Sequence, residues 1–566
     1  MEQKISILYP ATVSEKDYRL MSDIAWHDLG MDQICQQLTK KEKERVIIQA
    51  VLKNISDNTE VSRYRLEVFD DIYRNPLLQE NILSILEQVN QLQDYMSLKR
   101  NLDQSEGVWS LMRRFKEVKD YVYCIEQMDA CLSQVELHSN ALLNLKEYIH
   151  KIQEESGFAQ LKKDIESLKL DTKKVQSVTI GVNLNENYEA SSMGIVSLNE
   201  KQFTQANVLN QFTQRFSKQN QIQKEAEWKN QYTYQTISEK EDKQISLFEK
   251  GVRVFTAGIN PIMGLGIGLS KVTSQEVETN LLDYLNQVAT KMLASNVKTL
   301  KDTLAKYATI SIYSISGLIP EFTYYVLWAK FIRSLEQKGY WFCKAELSDS
   351  LMNCKCGYNL KLASLAKTEP SKVVGNDLDF SKEHNLYVLT GANRGGKTTF
   401  TQAIGQMFVL AQGGLYVPAR HFSFKPLDGI YTHFPADEDK TLDYGRLGEE
   451  CQRFKDLYNQ STPQSLLLLN ESFSTTSFEE GYYIAKDAIK AILLKGSRTI
   501  FNTHMHKLAQ DLEELNRDFS SKAISLIVES ENHERSYRIK IAPTTGKSQA
   551  SDIARKYGVT FEQLIK

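Results

Sequence analysis

Residues Gly391, Ala392, Asn393, Arg394, Gly395, Gly396, Lys397 and Thr398 fit the pattern GxxxxGK[ST]. Glycines at these places let a backbone close around phosphate oxygens, with successive N–H groups directed inward. Lys397 offers a point charge to the β- and γ-phosphates of a nucleotide, and the Thr398 hydroxyl can ligate Mg²⁺. Thr399 completes the stretch expected to touch the phosphates. Two further chemical positions follow in chain order. The apolar run 466–469 delivers Asn470 and Glu471 at what reads as a strand end. In a phosphate-transferring site that place holds a carboxylate for Mg²⁺ and then a Glu that polarises the attacking water. Asn470 is a neutral amide, able to accept a hydrogen bond from a metal-bound water but contributing no charge. Glu471 is the candidate base. Thr503 and His504 end the next strand, and His504 could hydrogen-bond a γ-phosphate. Alone, either the Asn-Glu pair or the histidine would read as structural; their order behind the glycine loop gives them a role.

These side chains can meet only if strands deliver them to one edge. The runs 386–389, 466–469 and 499–501 are short and apolar, as buried strands of a parallel sheet are. The glycine loop follows the first of them and opens a helix near Thr398. From about residue 371 onward the texture is that of an α/β domain. The first 175 residues read as long helices instead. Ile82, Ile85, Leu86, Val89, Leu92 and Met96 recur at helical spacing, and no proline interrupts the chain between Pro76 and Pro261. Val178, Ile180, Val182 and Leu184 alternate as in a strand, so a small hairpin is expected at about 176–198. Residues 200–250, rich in Gln, Lys and Glu, read as an exposed helical arm or a mobile segment. Gly264, Gly266 and Gly268 lack a following Lys-Ser/Thr, so they read as a loop or close packing rather than a second phosphate site. Helical patterns return over 276–316 and 322–337. The expected organisation is a helical region over 1–345 and an α/β P-loop domain over 346–566.

The totals bound the partners. At 566 residues the chain has length for at least two domains, and 42% hydrophobic with 25% charged residues is an ordinary globular balance. A net charge of −2 supplies no general attraction to nucleic acid, so any such contact needs a local patch or channel. No run approaches the roughly 20 apolar residues that span a bilayer, and the N-terminus lacks the order of a signal peptide. No membrane partner and a cytoplasmic location are expected. The seven cysteines show no paired framework. Cys343, Cys354 and Cys356 lack the CxxC or spaced histidines of a zinc site and read as structural.

Taken together, these motifs resemble the ATPase domain of the MutS family. The likeness runs from Asn376 and Asp377 through TGANRGGKTTF, then Gly414-Leu415-Tyr416-Val417-Pro418-Ala419, LLLLNESFSTTSFEEG, TIFNTH and the closing GKSQASDIARKYGV. More loosely, in layout and in segments such as RYRLEVFDDIYRNPLL, the helical half is similar to the family's core and lever domains. The resemblance implies a mainly α-helical core and lever region followed by an α/β P-loop NTPase domain of the ABC/MutS type. It also implies ATP and Mg²⁺ as cofactors. Lys397, Glu471 and His504 would be catalytic, and Thr398, Asn470 and Glu471 would face the metal. Residues 391–399, Asn376 and, from the other subunit of a homodimer, Gly445 would bind nucleotide. The chain departs from the family in three ways. It begins at once with core-like helices, so the mismatch-reading and connector domains, and with them mismatch reading of the usual kind, are not expected. The carboxylate expected before Glu471 is Asn470. The Ser/Thr-rich segment that reaches the partner's γ-phosphate is replaced around Asp443, Tyr444, Gly445 and Arg446. A nuclease-like extension beyond Lys566, as in one branch of the family, is not expected. The family's aromatic next to the base is replaced by Val373.

Two readings of function follow. In the first, paired helical levers of a homodimer enclose duplex or branched DNA under control of ATP, in repair or recombination, with the protein then associated with the nucleoid. In the second, the chain is a nucleotide-gated protein scaffold with little turnover, a reading motivated by Asn470 and the near-neutral charge. A transporter or chromosome-structuring ATPase is disfavoured, since neither an LSGGQ-type segment nor long heptad arms accompany the P-loop.

Overall fold

The computed structural model describes residues 5–85, 108–167, 177–184, 190–199, 317–365, 369–391, 395–435, 445–531, 534–543 and 561–565, with isolated positions besides. Several sequence readings lie outside the described residues: the helical positions Leu86 to Met96, the segment 200–250, the glycine cluster 264–268 and nearly all of 276–316. Ala392, Asn393, Arg394, Asp443 and Tyr444 do too. The chain folds as two compact units. One comprises Met1–Glu87, Met128–Ile149 and Ser314–Lys566; the other comprises Gln88–Gln127 and His150–Tyr313.

In the first unit, helices Asp23–Asp28, Met31–Leu38, Glu42–Lys53 and Thr59–Arg74 open the chain. Their boundaries follow from local chemistry. The Ser22 side chain accepts from the Ala25 N–H and the Asn58 side chain from the Glu60 N–H, each satisfying a donor the helix leaves over. The strands β1 (Arg19–Leu20) and β2 (Asn54–Ile55) pair antiparallel, an interruption the helical periodicity did not foretell. The helix Ile319–Glu336 carries Glu321, whose carboxylate accepts from the N–H groups of Ile7 (2.6 Å) and Leu8 (3.2 Å) and so anchors the start of the chain.

The second unit holds the hairpin of β3 (Ser177–Leu184) and β4 (Ala190–Asn199), paired antiparallel. It also contains the helix Ser156–Ser167, where Lys162 Nζ lies 2.5 Å from Glu126 Oε1.

The site is built on the remaining strands of the first unit: β5 (Glu346–Leu347), β6 (Met352–Gly357), β7 (Asn376–Phe380), β8 (His384–Thr390), β9 (His421–Phe424), β10 (Ile430–His433), β11 (Leu466–Asn470), β12 (Arg498–Asn502), β13 (Lys522–Glu531) and β14 (Glu534–Ile541). They form a six-stranded sheet ordered β10-β11-β12-β8-β13-β14 and a four-stranded sheet ordered β5-β9-β6-β7. Strands β10, β11, β12, β8 and β13 run parallel, and β14 returns antiparallel. The runs at 386–389, 466–469 and 499–501 thus lie in the three central strands.

Their near-continuous apolar character has a direct cause, since a parallel sheet is covered on both faces. Leu467 and Leu469 join Leu386, Val388 and Phe501 in a core under the helix Phe478–Lys495. Leu468 points to the other face, against the helix Lys397–Gln412: a Cβ added at Gly405 of that helix would lie 2.8 Å from Leu468 Cδ1 and 2.4 Å from Leu29 Cδ2. Leu468→Ala would leave a cavity there and cost about 2–5 kcal/mol. The same helix is tied to the N-terminal helices by its glutamines. Gln402 Nε2 donates to the Asp28 carbonyl (2.7 Å), Gln406 Nε2 to that of Leu29 (2.8 Å) and Gln412 Nε2 to that of Ser56 (2.9 Å). Among the described residues no helix is long and apolar enough to cross a membrane.

Candidate functional site

Because β8, β12 and β11 are parallel neighbours, their C-terminal ends bring three separate stretches of chain together. β8 runs into Gly391, and the helix Lys397–Gln412 starts immediately after Gly396, whose φ of 89° falls in the left-handed region. Glycine suits that position for a second reason. An added Cβ would stand 3.3 Å from Tyr537 Cδ1. Tyr537 itself has φ 55° and sits where the β13–β14 register shifts, so an irregularity in the edge strand aims its ring at the loop.

The Lys397 side chain is buried, at 5% exposure. Its Nζ donates to the Gly391 carbonyl (3.0 Å) and lies 3.9 Å from Glu471 Oε1. Burial pushes its pKa below the ordinary lysine value, and the Glu471 carboxylate opposes that shift. A cation held this way is desolvated in advance of meeting an anionic ligand. Glu471 Oε1 also lies 2.9 Å from His504 Nε2, so the three expected catalytic side chains stand in one contact chain, Lys397–Glu471–His504. The Thr398 hydroxyl donates to Asn470 Oδ1 (2.9 Å), and Asn502 Nδ2 donates to the same oxygen. Among the described residues there is no group of three or more His, Cys, Asp or Glu that could hold a metal by themselves. The donor set present, a hydroxyl, an amide oxygen and one carboxylate, suits a Mg²⁺ ion that takes most of its ligands from phosphate and water.

A cavity of about 1020 Å³ opens beside this cluster. Gly395, Gly396, Lys397, Thr398, Thr399, Glu471 and His504 line it, together with Tyr358, Asn359, Val373, Asn376 and Tyr537. The structure thus gathers most of the residues that the sequence singled out. Asn376 lines the cavity and also ties two strands together. Its Nδ2 donates to the Tyr537 carbonyl (3.2 Å) and its Oδ1 accepts from the Ile539 N–H (2.8 Å), fastening β7 to β14. Gly445 begins the helix Gly445–Gln460.

Tyr537 and Asn502 are residues of the site that the sequence did not single out. Asn502 lay within a motif already quoted, two residues before His504. Nothing in the sequence around Tyr537 marks a bulge.

The C-terminal part of the chain, residues 387–565, matches the family model for MutS domain V, and residues 57–338 match the model for the MutS2 N-terminal domain. Among curated relatives, the DNA mismatch repair protein MutS of Methanosarcina mazei is 32% identical over 191 residues, 33% of this chain and 21% of the relative. The protein of the same name from Shouchella clausii is 34% identical over 138 residues, 24% of this chain and 16% of the relative. That of Prochlorococcus marinus (strain AS9601) is 31% identical over 197 residues, 34% and 21% respectively. The chain therefore spans about a fifth of the length of these relatives (21% in the first). With one family model over its C-terminal P-loop region and a second, related one over its helical part, the chain belongs to the MutS family.

Proposed function

We propose that this chain is an ATPase that binds DNA as a homodimer and uses its nucleotide state to open and close around it. The observation that carries the ATPase half is the chain of contacts Lys397–Glu471–His504 beside a cavity bordered by the P-loop. In this reading residues 391–399 cradle the phosphates, with Lys397 on the β- and γ-oxygens. Thr398 and Asn470 stand at the Mg²⁺ position, where the ion would neutralise phosphate charge. Glu471 accepts the proton of the attacking water, and His504, at hydrogen-bond distance from Glu471, keeps that carboxylate oriented toward it. Val373 and Tyr537, which also line the cavity, are the side chains that would border the base. Gly445 belongs to the edge that would face the partner's nucleotide. The division at residue 345 is kept as the boundary between the helical and ATPase regions; the two family models fall on either side of it.

The DNA half rests on family membership and on the names of the relatives, which are mismatch repair proteins. DNA binding of this kind would rest on phosphate contacts and be strongly salt-dependent. The test joins both halves. ATP turnover is measured with and without duplex and branched DNA, in the wild type and in Lys397→Ala. DNA stimulation in the wild type alone supports the reading; turnover indifferent to every DNA, or unchanged by the substitution, contradicts it.

A second reading, a nucleotide-gated protein scaffold with little turnover, is favoured by one observation. The position expected to carry a metal-facing carboxylate is the neutral Asn470, already holding Thr398 and Asn502. Brisk, Glu471-dependent hydrolysis would dismiss it.

A further inference from the structure

After β11 the chain turns through two non-glycine residues of positive φ, Glu471 (51°) and Phe473 (63°), on either side of Ser472. Such backbone is strained for a residue with a Cβ and persists only where its surroundings over-determine it. Here they do. The Glu471 N–H donates to the Asn502 carbonyl (2.8 Å). The Ser472 Oγ lies 2.7 Å from His433 Nδ1 and 3.2 Å from the His433 carbonyl oxygen, so its single hydroxyl proton faces two acceptors of one residue, the ring nitrogen being the nearer. Three residues after Ser472, Thr475 Oγ1 donates to Glu450 Oε2 (2.9 Å). His433 ends β10, is 1% exposed, and has its Nε2 3.1 Å from the Glu450 carbonyl oxygen. A carbonyl can only accept, so Nε2 carries the ring proton, and in the neutral ring Nδ1 is left as an acceptor for the serine hydroxyl. Arg453 Nη2 closes the same corner by donating to the Phe434 carbonyl (2.9 Å). One imidazole therefore joins the end of β10, the helix Gly445–Gln460 and the turn that carries Glu471.

We propose that His433 is a positioning residue for Glu471: through Ser472 it holds the left-handed turn that directs the carboxylate into the phosphate end of the cavity. The inference rests on reading Glu471 as the base of an ATPase. It also gives the helix beginning at Gly445 a mechanical route to the base that does not pass through the nucleotide. A shift of that helix is felt by the Glu450 carbonyl, then the imidazole, then Ser472.

The experiment is single-turnover hydrolysis of radiolabelled ATP with Mg²⁺ by the full chain, with ATP affinity measured in parallel. Ser472→Ala and His433→Gln, which keeps a donor for Glu450 but no acceptor at the Nδ1 position, should each lower the hydrolysis rate about tenfold while ATP affinity stays within about twofold. His433→Asn, whose Oδ1 takes the place of Nδ1, should recover to within about threefold of wild type. Thermal unfolding shows which variants fold, and if both histidine variants fail, Ser472→Ala decides alone. Wild-type rates in Ser472→Ala and His433→Gln, with Glu471→Gln inactive, overturn the inference and leave the ATPase reading standing. Equal impairment of both histidine variants overturns it as well, since the ring would then be a packing element only. Wild-type hydrolysis no faster than that of Lys397→Ala would instead overturn the ATPase reading, and the inference with it.

Discussion

The Thr398 hydroxyl donates to the Asn470 amide oxygen at 2.9 Å, binding the first turn of the P-loop helix to the end of β11. Asn502 donates to the same oxygen, so a carboxylate oxygen at this place would find two donors already in position. Asn470→Asp is therefore expected to fold normally and to add charge where a phosphate-bound Mg²⁺ would sit. Mg²⁺-dependent ATP turnover should rise by about tenfold, on the scale of one added charge contact at a reacting centre. A fall in turnover with intact folding, read by steady-state phosphate release, would count against the assigned metal position.

Lys397 is the buried cation of the site, held between the Gly391 carbonyl and Glu471. Lys397→Ala should weaken ATP binding and lower turnover by about a hundredfold or more. Removing the cation also leaves Glu471 with His504 as its neighbour, so ADP, with one phosphate fewer, should suffer less than ATP. Isothermal titration with both nucleotides checks this; equal losses would mean that Lys397 does not reach the terminal phosphate.

Tyr537 stands against Gly396 from an irregular position in the edge strand β14. If its ring covers the nucleotide, Tyr537→Ala should weaken ATP about tenfold, the scale of one base–aromatic contact, while Tyr537→Phe stays near wild type. Gly396→Ala should weaken ATP too, because φ of 89° strains any side chain and the methyl would crowd the ring. Full affinity in Tyr537→Ala would place the base elsewhere in the cavity.

Burial, and after it the charge of Arg453, pushes the His433 pKa down to about 4. The sign follows from linkage. Below the unfolded-state value the unfolded chain binds a proton at this residue that the folded protein refuses, so stability falls as pH drops from the mid-sixes toward the folded value. At about pH 5 the loss should be about 2 kcal/mol from this residue. Urea midpoints at neutral and mildly acid pH should thus converge in His433→Asn relative to the wild type. An unchanged difference would assign the acid sensitivity to other groups, among them His506, whose pKa burial also lowers.

What could be read from the sequence was whatever rests on local pattern. Leu466 to Leu469 announce a strand because a parallel strand between two helical layers must be apolar on both sides. The start of the helix at Lys397 follows from the glycine loop, and its apolar content from its place between Leu468 and Leu29. The rest depends on which pieces become neighbours. β5, of two residues, and β9, of four, carry too little pattern to be seen in isolation. Gln402, Gln406 and Gln412 look like ordinary polar helix residues until the N-terminal carbonyls they serve are in place. His433 gains its partner Ser472 only because β10 and β11 lie side by side in the sheet. The motif singles out Asn376, but the hydrogen bonds by which its amide ties β7 to β14 depend on strands far apart in the chain.

The measurement that bears most directly on the whole account is fluorescence anisotropy of the purified protein with homoduplex, mismatched and branched DNA. Each is titrated without nucleotide, with ADP and with a non-hydrolysable ATP analogue, across a salt series. Salt-sensitive binding whose affinity changes with nucleotide state is expected, with loss of that dependence, though not of all binding, in Lys397→Ala. Absence of binding to every DNA in every nucleotide state, at low salt and with ATP binding intact, would contradict it and leave the nucleotide-gated scaffold in its place.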